Sequence, residues 1–171
     1  MCNFQQLMLD IANVNEFTYG EVMSIFDVQT PQKSVGFQFW KLHQQWQKRV
    51  HKALEPYHIT HTQFVMMASI AWFEEQGIQP SQAQVTQLMS IDKMAFSKAV
   101  RQLEERGLVK RNQSKKDARI KALSLTKKSL IIMPQAILAI ESVDKEVFGM
   151  LGERKQTFNR ILLLLNKELA R

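Results

Sequence analysis

Leu108-Val109-Lys110-Arg111, then the polar run Asn112 to Lys116, then Asp117-Ala118-Arg119, then Leu123-Ser124-Leu125-Thr126: this stretch decides the fold. Two short runs of alternating apolar residues flank a basic, turn-forming tip, which is the pattern of a β-hairpin. The hairpin follows directly on an amphipathic, positively charged segment that ends at Gly107. A cationic helix joined to a cationic hairpin offers two grips on a DNA duplex.

The charges at the tip need a reason. Lys115, Lys116 and Arg119 crowd together and repel one another, so a purely structural role explains them poorly. They gain free energy when phosphates replace their counterions. An Arg at such a tip also suits a narrow, electronegative minor groove. Asp117 is the one acid among them; it favours the turn and can orient a neighbouring Arg.

Upstream, the segment 81–106 has the shape of a helix-turn-helix. Ser81 with Gln84 makes a capping box and opens a short helix through Met89, with Ala83, Val85 and Leu88 expected inward. Ser90-Ile91-Asp92 forms the turn, and Asp92 caps the next helix, which runs to Arg106. In that helix Phe96, Ala99, Val100 and Leu103 form the buried stripe. Lys93, Ser97, Lys98 and Arg101 are then left facing outward, as suits a helix in the major groove. Taken alone, that face equally fits an ordinary solvated helix, and the hairpin is what favours DNA.

Working outward, the apolar positions Phe39, Leu42, Trp46, Val50 and Leu54 predict a helix over about 34–54, closed by Pro56. Thr60 with Gln63 makes another capping box, for a helix ending near Gly77. From Thr126 the pattern is helical to about Leu151, Gly152 interrupts, and a last helix covers about 153–170. Phe4, Leu7, Met8 and Ile11 predict a short N-terminal helix, and a second is expected around Glu21–Asp27. The fold class is therefore mainly α with a small β-hairpin.

Composition narrows the function. The chain has 171 residues and a net charge of +7. Twelve of its 23 Lys and Arg residues lie within 93–128, against three acids there, whereas residues 1–31 hold four acids and no Lys or Arg. A charge carried for general solubility would be spread more evenly. Cys2 is the one cysteine, so no intrachain disulfide can form, and its position offers no adjacent base to activate the thiol. The acidic, amphipathic start does not read as a signal peptide, and the run Ile161 to Leu165 is too short to span a bilayer. The expectation is a cytoplasmic protein with no membrane partner. No Gly-rich phosphate loop, carboxylate pair or nucleophile motif falls on a recognisable element, so no enzyme and no cofactor is expected. His43, His51, His58 and His61 lack metal-ligand spacing and a joining acid or cysteine cluster, so no metal site is assigned.

The run Gly107-Leu108-Val109-Lys110-Arg111, Asp117-x-Arg119 and Leu123-x-Leu125-Thr126 resembles the MarR family of bacterial transcriptional regulators. Met89-Ser90-Ile91-Asp92 before the reading helix and Leu103-Glu104-Glu105-Arg106 at its end fit in order and spacing. The resemblance covers about residues 34–170, as one MarR-like domain over 32–171; the acidic extension 1–31 departs from the family pattern. It implies a winged helix-turn-helix over about 60–126, with dimerisation helices at about 34–56 and 127–170. It implies that Lys93, Ser97, Lys98 and Arg101 meet the major groove. Gln113, Ser114, Lys115, Lys116 and Arg119 would then form a wing on the adjacent minor groove, with Asp117 orienting it.

The C-terminal sequence independently supports self-association. Residues 130–170 hold more apolar side chains than two helices can bury on a small winged core, with Phe148, Phe158, Ile161, Leu162 and Leu165 the expected interface. The expected partners are double-stranded DNA and a second copy of the chain. Family resemblance adds a small aromatic or anionic effector, for which Trp46, Arg49, Trp72 and Phe73 are the candidate pocket. The implied function is a homodimeric repressor on a palindromic operator, relieved by that effector. Two other readings stay open: a winged-helix interaction module or antagonist, and a non-specific nucleoid-type DNA binder.

Overall fold

A computed structural model describes residues 30–113 and 121–170. The predicted N-terminal helices, Cys2 and the hairpin tip lie outside the described residues. The elements, in order, are α1 (Val35–Leu54), α2 (His61–Glu75), α3 (Gln82–Met89), α4 (Lys93–Glu105), β1 (Val109–Gln113), β2 (Lys121–Leu125), α5 (Lys127–Phe148) and α6 (Lys155–Leu169). Short 3-10 turns stand at Pro31–Lys33, Glu55–Tyr57 and Gly149–Arg154. In the first part of α1, Phe37 stacks on Trp40 with ring centroids 6.0 Å apart.

Local chemistry sets most boundaries. Thr60 and Ser81 each accept a bond from the N3 amide while the N3 glutamine, Gln63 or Gln84, accepts one from the cap amide. Asp92 Oδ1 accepts from the amides of Met94 (2.8 Å) and Ala95 (3.1 Å), closing the start of α4. Thr126 opens α5 in the same reciprocal manner, with Ser129 rather than Glu or Gln at N3. Gly77 (φ +71°) and Gly107 (φ +66°) end α2 and α4 in the left-handed conformation that a side chain resists. Ser90 takes the same conformation (φ +49°) at the turn between α3 and α4.

The core of residues 42–170 joins α1, α2, α3, α4, the hairpin and α5. Val50, Leu54, Met66, Ile70, Val85, Val100, Leu103, Leu123 and Ala136 are wholly buried in it. The stripe expected on α4 is observed: Phe96, Ala99, Val100 and Leu103 are all buried. The face expected on α3 is corrected. Val85 is buried and Met89 packs on the core, while Ala83 and Leu88 face solvent, Leu88 with 52% exposure. In eight residues both an i, i+3 and an i, i+4 apolar pair can be drawn, and only the tertiary surroundings choose between them.

The hairpin is antiparallel, with Val109 opposite Leu125 and Gln113 opposite Lys121. A third segment extends it: Ser81 bridges Ala122, and the Leu123 amide donates to the Pro80 carbonyl at 2.8 Å. Its base is clamped to the helices as well. The Leu125 amide donates to Glu74 Oε1 (3.0 Å), Thr126 Oγ1 to the Gly107 carbonyl (2.7 Å), and the buried Ser129 Oγ to the Leu108 carbonyl (2.5 Å). α5 runs through Pro134, whose missing N–H removes one helical bond, and ends at Phe148 rather than near Leu151. Gly152 (φ +53°) then turns the chain into α6.

Candidate nucleic-acid interface

α4 is the element on which the sequence places DNA reading. Its thirteen residues form a rod of about 20 Å. With the buried stripe fixed, helical periodicity sorts the opposite side. Met94, Lys98, Arg101 and Glu105 recur at i, i+4, i+7 and i+11 and form the outermost row, all exposed. Lys93 and Ser97 are exposed on one flank of that row. The four residues chosen from sequence are thus on one accessible side, with Lys98 and Arg101 central. Two amide bonds, the first from Ala95 and the second from Met94, hold the Asp92 carboxyl below the usual carboxylate range, so it stays charged as a cap.

Two side-chain bridges fix α4 in place, and sequence pattern points to neither. Gln63 is 5% exposed; its Oε1 serves the Thr60 cap, and its Nε2 donates to Gln102 Oε1 at 3.0 Å. The same residue therefore caps α2 and ties it to α4. On the other side, the Arg111 guanidinium on β1 donates through Nε and Nη2 to Glu104 Oε2 on α4. The hydrogen bond from Arg111 is the main reason the Glu104 carboxyl lies below its ordinary pKa, and the carboxylate in turn raises that of Arg111. The pair spans the helix-to-strand junction and sets the hairpin against α4. The spacing i, i+7 across a glycine gives no periodic signal, so the sequence does not announce it.

Not all basic residues of 93–128 are equivalent. Arg106 donates to the His58 carbonyl (2.5 Å) and the Tyr57 carbonyl (3.3 Å), and Lys128 to the Arg106 carbonyl (3.1 Å). With Arg111 these residues hold turns and the wing base, so the basic stretch counts architecture as well as surface. On the hairpin, Gln113 is exposed at the end of β1. Ser114, Lys115, Lys116, Asp117 and Arg119 lie outside the described residues.

The candidate effector residues fall into two separate groups. Trp46 donates from Nε1 to Asp144 Oδ1 (2.8 Å) and meets the edge of His61 at 5.0 Å; Arg49 pairs with Glu146 at 3.1 Å. Trp72 and Phe73 touch edge to face at 5.0 Å near the far end of α2. His61 and Trp72 are eleven residues apart on one helix, about 16 Å along its axis. Within one chain the structure does not bring the two groups together. Burial lowers the His61 pKa, with Asp144 opposing and His43 reinforcing that shift, and its Nδ1 lies 2.9 Å from Gln47 Nε2. Among the described residues, no group of three His, Cys, Asp or Glu could hold a metal ion. Nor is any described helix long and apolar enough to cross a membrane.

The expected interface residues gather at the C-terminal end. Phe148 stacks on Phe158 with centroids 6.1 Å apart, and Phe148 packs on the core. Beyond them, α6 buries none of its residues: Phe158 and Leu162 are partly covered, while Ile161, Leu163, Leu164, Leu165 and Leu169 are exposed. Leu130, Ile131 and Leu138 on α5 are exposed too, but Ile140, Val143 and Val147 serve the chain's own core.

A capped helix packed on two others and followed by a clamped hairpin defines a winged helix-turn-helix, a class of DNA-binding folds. Residues 55–143 match the ArnR1-like winged-helix domain, and the chain belongs to that family, among the HTH-type transcriptional regulators. The HTH-type transcriptional regulator YdcH of Bacillus subtilis is 30% identical over 138 residues, covering 81% of this chain and 94% of that protein. Among solved structures, a cysteine-to-serine mutant of MarR from E. coli, complexed with operator DNA, has a TM-score of 0.67 at 20% identity and covers 81% of this chain and 96% of that one. CouR from Rhodococcus jostii RHA1, bound to p-coumaroyl-CoA, has a TM-score of 0.70 at 23% identity, covering 80% and 93%. The MarR-like architecture expected from residues 107–126 is therefore the observed one, and the protein is a regulator rather than an enzyme.

Proposed function

We propose that the chain is a homodimeric, sequence-specific repressor of a palindromic operator, released by a small aromatic or anionic effector. The carrying observation is the division of α4: one side is sealed into the core while the other presents Lys93, Ser97, Lys98 and Arg101, with the Glu104–Arg111 pair fixing the hairpin beside it. In this reading Lys98 and Arg101 meet base edges in the major groove, Lys93 and Ser97 meet base or backbone, and Arg119 enters the neighbouring minor groove. Gln113, Ser114, Lys115 and Lys116 hold the adjacent phosphates, and Asp117 orients Arg119.

The apolar face of α6 together with the exposed positions of α5 supports dimerisation. Phe158, Ile161, Leu162 and Leu165 would be covered by the same face of a second copy. Two-fold symmetry then calls for half-sites about one DNA turn apart. The operator bound by the MarR mutant and the acyl-CoA bound by CouR support both the duplex and the effector class. An effector would act by favouring a dimer in which the two α4 helices are wrongly spaced.

Fluorescence anisotropy tests this reading, using labelled DNA from upstream of the protein's own gene against a scrambled duplex at two salt concentrations. Preference for the upstream duplex by about a thousandfold or more is expected. Equal, steeply salt-dependent binding to both would instead mark a non-specific coating protein, and no binding at low salt an interaction module.

A further inference from the structure

The outermost row of α4 begins with a residue that electrostatics does not explain. Met94 is 82% exposed, heads the row that continues through Lys98 and Arg101, and follows the helix's first residue. Its backbone amide is held by Asp92, so the position of the side chain on the helix is fixed from its first turn. A methionine carries no charge and cannot bind a phosphate. It also offers no donor that would read a purine edge. An apolar side chain at the leading end of a helix in the major groove finds one kind of apolar group there, the C5-methyl of thymine.

We propose that Met94 is a specificity-determining residue that packs on a thymine methyl in each half-site. The inference rests on the reading of α4 as the major-groove helix. Surroundings favour DNA over a protein partner: Lys93, Lys98 and Arg101 flank Met94 within two turns, and an anionic duplex matches that ring of cations. Ala95, next along the helix, adds little bulk and lets the backbone approach closely. Glu105 closes the row eleven residues on, about 16 Å away, where a carboxylate would suit a cytosine amino group and not a phosphate.

Exchanging thymine for deoxyuridine removes that methyl and changes no hydrogen bond. The full chain would be used to select its preferred duplex from a random pool. Each thymine of that duplex would then be replaced in turn, and affinity measured for wild type, Met94→Ala and Met94→Leu. One position per half-site should weaken wild-type binding by about fourfold when the methyl is lost. In Met94→Ala the thymine-to-uracil ratio at that position should fall to near one, and Met94→Leu should restore it. A ratio unchanged by Met94→Ala, or a duplex with no methyl-sensitive position, overturns the assignment while leaving the regulator reading standing. A selection that yields no preferred duplex overturns both. Because Met94 is exposed, the variants should fold, and matching circular dichroism spectra would check it.

Discussion

α4 and α6 are amphipathic helices of thirteen and fifteen residues, and among the described residues only the apolar face of α4 is covered. α4 seals Phe96, Ala99, Val100 and Leu103 against its own domain and turns its charges outward. α6 carries as clear an apolar face in Phe158, Ile161, Leu162 and Leu165, yet buries none of these residues. A helix satisfied within the chain is free to use its polar side on a ligand. A helix left with an exposed leucine face must meet its apolar requirement elsewhere. In the proposed function the two helices divide the work: α4 reads, and α6 brings a second reader to the correct distance.

The division can be broken from either side. The largest effect is expected for Ile161→Glu combined with Leu165→Glu. Sedimentation should show a monomer with unchanged helicity, and affinity for the preferred duplex should fall by at least about a hundredfold, because the second half-site no longer adds its binding. A persistent dimer would place the interface elsewhere. Next comes Arg101→Ala, which should cost about 1–3 kcal/mol on the preferred duplex and relax sequence preference while leaving the dimer intact. Lys115→Ala is the contrast within the DNA surface. It should weaken all duplexes alike and flatten the salt slope by about one unit, and identical behaviour of the two variants would contradict the assignment of base reading to α4.

Smaller effects sharpen the link between α4 and its surroundings. Glu104→Gln removes the carboxylate that anchors Arg111. In the wild type that carboxyl is depressed by its bond to Arg111, so its stabilisation is present above an ordinary carboxylate pKa of about 4.3 and fades as pH falls through the lower folded value. The acid side of a Tm-against-pH curve should be shallower in the variant, and parallel curves would argue against the pair. His61→Gln should give the smallest change. Burial depresses this imidazole, so the unfolded chain binds its proton first and stability declines as pH drops below about 6.5. Melting at pH 7.5 and 5.5 should show a smaller difference in the variant than in the wild type.

Much of this was legible in sequence because its causes are local. Thr60 with Gln63, Ser81 with Gln84, Asp92 and Gly107 announce helix ends through contacts three residues apart or less. The α4 stripe spans two turns, enough for one periodic solution. α3 is too short for that, and Val85 with Met89 prevailed over Val85 with Leu88 only through packing. The Ser81–Ala122 bridge, the Gln63–Gln102 bond and the Glu104–Arg111 pair join residues that no local pattern relates. Met94 stands one turn before Lys98 on the same row, but a face recognised by its charges gives an apolar residue no weight.

Analytical ultracentrifugation of the full chain with its selected, dye-labelled duplex tests the division of labour most directly. The labelled species should carry two 19.9 kDa chains per duplex, and should revert to weak, non-selective binding when the α6 face is broken. One chain per duplex with sequence preference retained would show that α4 reads without a partner and would contradict the role given to α6.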